Sequence, residues 1–563
     1  MRFRFVSTLA LLVASAAVAS AQAPKPAIVV QTQPVSRLLF EFKEVIRQVG
    51  GTAQGDAMVK EFEKSLKDGL GEKGFEGLDI NRPLAAYAVL KDKPEDCGLV
   101  LVIPTTTEKD FVAFLERIKI KAVAVKDKKS VYELELPGNS PFPKGSHLQF
   151  AAGGWAYVTL NDGDPTDAKD LVGLGDVFNN ADPSLISARL FPGRVPPKLV
   201  GGMLDEIDQA ANGLKGFLGG GGGGDAKVLK AFLEEGPKLL RRYVETGLKE
   251  AEEVGVKIGF DPMSGDTITE LTLVPKTGTP LAKEIAATAP TTNRFAGLVT
   301  KDTAGAVLLK APLFAKELRE IGAAIFEGQD AELKDTKVPE KLKPVVSEVL
   351  KGLARTTKAG NADLAVVLNG PDAAGKFTLV TGVSFSDSAE IEKALRALAK
   401  DSDFAKEFEF DTVKVDGIGV HKVPLYRVLP EDGGEELAKV FGAKPPGAVA
   451  FAKDAVFVAF GPGAVDAVKA ALELKPAAAP ALDVTANMSR FHKLIAATDP
   501  MGAPMFAKFM GTADKTVSAL KVTVEGGAKL TVKATVNVRI LPKMYLVGES
   551  STSTFDNVGD KIK

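Results

Sequence analysis

Apolar residues recur along the chain with two periods, and the switches between them lay out its elements. In "EKDFVAFLERI" the positions Phe111, Leu115 and Ile118 stand four and three apart, which puts their side chains on one helix face. Ile391, Leu395 and Leu398 repeat that spacing in "AEIEKALRAL". Each of these helices follows two short strands, "LAAYAVL" with "GLVLVIP" in one case and "ADLAVVL" with "FTLVTGVSF" in the other. Period-two alternation is cleanest from Leu520 to Ile540 and returns in "VGVKIGFDPMSGDTITELTLVP". Both stretches predict a closing hairpin in a sheet with one face covered and one wet or facing a partner. "HLQFAAGGWAYVTLND" and "GAVAFAKDAVFVAFGPG" predict two further hairpins, turning at Gly153-Gly154 and at Lys453-Asp454.

These segments come in the same order twice. "QPVSRLLFEFKEVIRQVGG" places Pro34 before an amphipathic helix, and "APLFAKELREIGAAIFEG" does the same after Pro312. Further on, "SLISARLFPGRV" lines up with "ALDVTANMSRFH". The expectation is an internal duplication of class α+β, each half an antiparallel sheet with packed helices. Residues 22–292 would form the first repeat and 293–563 the second, with the boundary near Thr291 to Arg294. The first repeat would carry a helical insertion containing a run of glycines, 219–224.

The N-terminus changes the setting. Arg2 and Arg4 precede an apolar run from Phe5 to about Val18 and then small residues, the pattern of a secretory signal peptide. A-x-A sites end at Ala19 and Ala21, while a cut after Ala23 would leave Pro24 first; cleavage is expected after Ala21. Residues 1–21 are therefore read as a leader and the mature chain as secreted or periplasmic. No later stretch reaches the ~20 apolar residues a membrane helix needs. Cys97 is the only cysteine, so no intramolecular disulfide can form. A net charge of −1 with no long basic segment argues against a nucleic-acid partner.

The glycines invite a phosphate-binding reading that the neighbouring residues oppose. A P-loop needs Lys and Ser or Thr after its last glycine, whereas Gly224 is followed by Asp225 and Ala226. A dinucleotide loop must leave a strand, yet Leu199, Met203 and Ile207 give helical spacing upstream. Asp225 reads as the N-cap of a following helix, and the glycines as a flexible connector.

Other candidate chemistry is sparse. His147, His421 and His492 lie far apart with no zinc-site spacing and read as ordinary strand or surface histidines. No G-x-S-x-G elbow is present, and no S-x-x-K stands with its supporting motifs. Asp162, Asp164 and Asp167 lack the glycine and glutamate that a calcium hand requires at its sixth and twelfth places; a turn into a helix, capped by Asp164 with Pro165 at N1, accounts for them. Catalytic, cofactor-binding and metal-binding residues are all expected to be none. The soft, adaptable cluster Met501, Met505, Phe506, Phe509 and Met510 is the candidate apolar contact surface, weighed against plain core.

The leader "LALLVASAAVASAQA" and the repeated strand, strand, helix pattern at Leu99 to Ile118 and Phe377 to Leu398 resemble uncharacterised secreted proteins of planctomycete-type bacteria. That resemblance implies an exported chain and transfers no catalytic residue. The first expectation is a non-enzymatic secreted or periplasmic binding or scaffold protein, its partner an unknown envelope protein or apolar ligand. The alternative is a carrier of lipid or another apolar ligand, and a third possibility is an enzyme with an unrecognised site. A carrier needs a cavity lined by apolar side chains, a scaffold packs solid, and an enzyme needs titratable groups converging in a cleft.

Overall fold

A computed structural model describes residues 25–93, 96–136, 145–160, 171–179, 181–202, 204–205, 209, 241–310, 316–335, 338, 340–360, 363–400, 405–428, 434–498, 504 and 518–538. Residues 1–21, read above as a leader, the glycine run 219–224, the Asp162 to Asp167 cluster and the five residues Met501 to Met510 named above lie outside them. The chain divides into two compact units, Met1–Ala282 and Lys283–Lys563. Both are built from helices on antiparallel sheet, the α+β class expected.

The first unit contributes β1 (Ile28–Pro34), β2 (Pro83–Val89), β3 (Gly98–Pro104), β4 (Lys121–Ala124), β5 (Val131–Glu135), β6 (His147–Ala151), β7 (Trp155–Thr159), β8 (Ile186–Leu190), β9 (Ala251–Asp261) and β10 (Asp266–Pro275). Their pairings give the order β4-β5-β6-β7-β3-β2-β1-β8-β9-β10, antiparallel throughout. Gly153 and Gly154 take positive φ at the β6–β7 turn, as a tight hairpin requires. Helix α1 (Val35–Leu70) reverses at Gly51, where φ is 64°, so that its two arms run side by side. Phe42 meets Phe62 with ring centroids 5.1 Å apart, and Arg47 Nε lies 2.9 Å from Asp56 Oδ1. A Cβ on Gly55 would sit 2.4 Å from the Arg47 carbonyl oxygen, so the reversal needs a residue without a side chain there. Helix α2 (Glu108–Arg117) starts at Thr107, whose hydroxyl accepts the Asp110 N–H at 3.1 Å, and buries Phe111, Phe114 and Leu115.

The central strands are buried on both faces. Along β7, Trp155 and Tyr157 enter one apolar cluster while Ala156 and Val158 enter another, under α2. At β9 and β10 the apolar Val256, Ile258 and Leu271 are exposed while Thr272, opposite Gly255, is buried, the reverse of the covered apolar face that the alternation predicts.

The second unit contributes β12 (Thr303–Lys310), β13 (Asp363–Asn369), β14 (Thr378–Ser384), β15 (Glu409–Val415), β16 (Ile418–Val423), β17 (Gly447–Ala452), β18 (Ala455–Phe460), β20 (Leu482–Asn487), β21 (Ser518–Glu525) and β22 (Leu530–Asn537); β11 (Thr291–Asn293) pairs apart with β19 (Ala477–Ala479). The sheet order is β15-β16-β17-β18-β14-β13-β12-β20-β21-β22. Taken in chain order, each of these ten strands occupies the place its counterpart holds in the first unit. Two helices, α3 (Lys316–Glu332) and α4 (Lys343–Ala359), follow β12 as the two arms of α1 follow β1. Helix α5 (Ser388–Lys400) follows β14 as α2 follows β3. On one sheet face Phe295, Leu308, Val367, Val380 and Phe457 pack with the Val468 helix α6 (Ala464–Leu472). On the other face lie α4 and α5, with Phe385, Ile391, Val423, Val449 and Val456 between them and the strands.

Candidate functional site

Helices α4 and α5 do not close onto their sheet face. Between them is a cavity of about 490 Å³. From α4 come Val345, Val349 and Leu353, spaced four apart on one helix face; from α5 come Ile391, Leu395 and Leu398. The floor is formed by alternate residues of neighbouring strands, Val449 and Phe451 on β17 with Val456 and Val458 on β18, as the pleat dictates. Phe385, Phe408 and Leu425 close the sides. Among the described lining residues only Thr381 and Arg427 carry polar side chains.

Ile103 pairs with Ala156 in the first unit and Val383 with Val456 in the second. Helix α2 buries the rings of Phe111 and Phe114, whereas α5 buries Ile391 and Leu398. In the first unit the ring of Phe111 lies 6.0 Å from that of Phe114 and 6.0 Å from that of Phe150, and Tyr132 meets Phe150 edge-on at 6.0 Å. In the second unit the helix α5 side chains that line the cavity are the aliphatic Ile391, Leu395 and Leu398.

His421 stands on the same strand face as Val423, two residues from the cavity wall, and is 1% exposed. Its Nδ1 accepts the Asp411 backbone N–H at 3.0 Å, and its Nε2 lies 3.3 Å from Glu392 Oε1. Arg396 links both carboxylates, with Nε 2.8 Å from Glu392 Oε1 and Nη2 3.0 Å from Asp411 Oδ2. Burial pushes the imidazole below its usual 6.5, against the pull of Glu392. With Nδ1 accepting a hydrogen bond the proton resides on Nε2 and the ring is neutral. Phe410 and Phe451 flank it at 5.3 and 5.9 Å. The group is a set of mutually satisfied polar atoms beside Phe451, which lines the cavity. The sequence offered His421 only as an ordinary histidine, because its partners come from α5 and from an irregular point in β15 where Asp411 takes φ 53°.

The 3-10 turn Leu425–Val428 lines the cavity through Leu425 and Arg427. Arg427 there is hydrogen-bonded to Glu407, and Tyr426 donates its hydroxyl to the same carboxylate. These bonds hold Glu407 below the usual carboxylate range.

A second, polar recess of about 350 Å³ is lined by Arg294, Asp363, Ser384 and Asp454 among others. Its charges are already engaged. Asp363 lies 2.9 Å from Lys310 Nζ and accepts the Arg294 N–H at 2.9 Å; Arg294 also pairs with Asp454. Ser384 Oγ accepts the Asp363 N–H at 3.1 Å.

Among the described residues there is no group of three or more His, Cys, Asp or Glu able to hold a metal ion, and no helix long and apolar enough to cross a membrane. His147 is buried in β6, and His492 lies on the helix Met488–Thr498. Comparison with protein-family models, with curated proteins and with solved structures finds no match.

Proposed function

We propose that the protein is an exported, non-enzymatic carrier of an apolar ligand, held in the second unit between α4, α5 and the sheet. The cavity of about 490 Å³ carries this reading, because its size falls within the roughly 300–1,000 Å³ usual for small-molecule sites and its walls are almost wholly apolar. Burying hydrocarbon there would gain about 25 cal/mol per Å² of apolar surface removed from water. No carboxylate, imidazole or thiol is among its described lining residues, which supports a carrier over a catalyst. The alternative, a scaffold packed solid, suits the ring-filled space of the first unit better than this one. We read the two units as copies of one α+β module, on the strength of their common strand order and the paired helices at matching places; the aromatic-filled copy would then be the structural member of the pair. The leader at 1–21 supports export.

The test is native mass spectrometry of the protein recovered from the envelope fraction of its own cells, beside a Leu395→Trp variant whose indole would occupy the cavity. One co-purifying apolar molecule per chain, absent from the variant, is expected. A wild-type chain that carries nothing and takes up no fluorescent apolar probe overturns the carrier reading.

A further inference from the structure

Resting on the carrier reading, we infer that the ligand is a single-chain amphiphile with an anionic head, its hydrocarbon in the α4–α5 cavity and its head at Arg427. Volume sets the chain. An engineered cavity of roughly 150 Å³ takes up benzene, six carbons, so about 490 Å³ scales to on the order of 18 carbons. That is room for one chain and too little for the pair of a diacyl lipid.

Charge in the lining sets the head. Among the described lining residues the Arg427 guanidinium is the only charged group, and its side chain is 46% exposed, so a group held there keeps contact with water. Glu407 is not among the lining residues; it grips Arg427 through Nη2 and, at 3.4 Å, through Nε. Tyr426 in turn ties Glu407 down. The pair fixes the fork's orientation, and Arg427 is the charged residue among the described lining residues. A guanidinium carries five N–H donors in a plane and can bridge two anions. Lys444, exposed and close enough to help hold Glu407 ionised, adds a second positive charge beside Glu407. A cationic head would meet Arg427 with like charge, and an uncharged one would gain little from it. A carboxylate and a phosphate monoester share the chemistry that fits.

The experiment is isothermal titration of the full mature chain with four probes of about eighteen carbons: a fatty carboxylate, its methyl ester, the matching amine, and a lysophospholipid ending in a phosphate monoester. The carboxylate or the phosphate should bind at least tenfold tighter than the ester, and whichever is tighter identifies the source of the anion. Arg427→Gln should bring the anion's affinity down to that of the ester and leave the ester unchanged, while Arg427→Lys should restore part of the difference. Equal binding of carboxylate, phosphate and ester, or preference for the amine, overturns the anionic head and leaves the carrier standing. Binding of none of the four overturns both.

Discussion

Gly352 lies against the ring of Phe385 so closely that a methyl group on it would fall 1.9 Å from Phe385 Cζ. The glycine sits inside α4, where alanine would ordinarily be favoured by about 1 kcal/mol. Here the contact lets the helix descend onto a ring that also lines the cavity. Gly352→Ala should therefore destabilise the second unit by about 1–3 kcal/mol, the usual cost of overpacking. Urea unfolding of the single variant and of Gly352→Ala with Phe385→Leu checks it. The double variant should recover part of the loss, since removing the ring removes the clash.

Filling the cavity with aromatic rings should trade function for stability. The double variant Ile391→Phe with Leu395→Phe, both cavity-lining positions, is expected to raise stability by about 0.5–2 kcal/mol, as cavity filling commonly does. It should also abolish uptake of an apolar probe. A variant that is stabilised yet binds as before would place the ligand elsewhere.

His421 should give the protein an acid-sensitive step above the range where carboxylates titrate. Its folded pKa is lowered from 6.5, so below that pH the unfolded chain binds a proton that the folded chain refuses. The stability linked to this group is complete above about pH 6.5 and falls as the pH drops below it, with a slope of at most about 1.4 kcal/mol per pH unit. Denaturant unfolding of wild type and His421→Gln between pH 7.5 and 5 should show the slope in the first and its loss in the second. In Glu392→Gln the slope should extend to lower pH, because the carboxylate that favours the charged ring is gone.

The glycines at 219–224 should prove indifferent to small side chains. Gly221→Ser with Gly222→Ser is expected to leave the thermal midpoint unchanged, since loop-closure entropy depends weakly on such detail. Calorimetry with ATP, NAD and phosphate should find no binding in either protein. Micromolar binding that disappears in the variant would restore the phosphate-cradle reading.

Periodicity alone was enough to find α2, α5 and the β6–β7, β17–β18 and closing hairpins, because each is set by contacts local in the chain. It did not single out α4 as a wall, although Val345, Val349 and Leu353 carry the same spacing. Strand β7 shows no alternation of burial, since both its faces are covered, and pattern reading has no purchase on such a run. The cavity itself depends on elements distant in sequence. Phe111 could be aligned with Ile391 from the spacing, but that Ile391 borders open space follows only from the strands and the second helix packed around it. The polar group at His421 was invisible for a related reason: it needs Asp411 in a backbone conformation that non-glycine residues seldom adopt.

Strand β18 turns Val456 and Val458 toward the cavity and Phe457 and Ala459 toward the opposite core. An occupant therefore leans on a strand whose other side is anchored in a separate cluster. Anything that binds only the folded state raises the free energy of opening it, by about 2.7 kcal/mol when the free ligand is a hundredfold above its Kd. Because the strand belongs to both layers, that increment should spread to amides facing away from the occupant. Loading would then be legible as slowed hydrogen exchange along β14 and β18, on backbone that the ligand never touches.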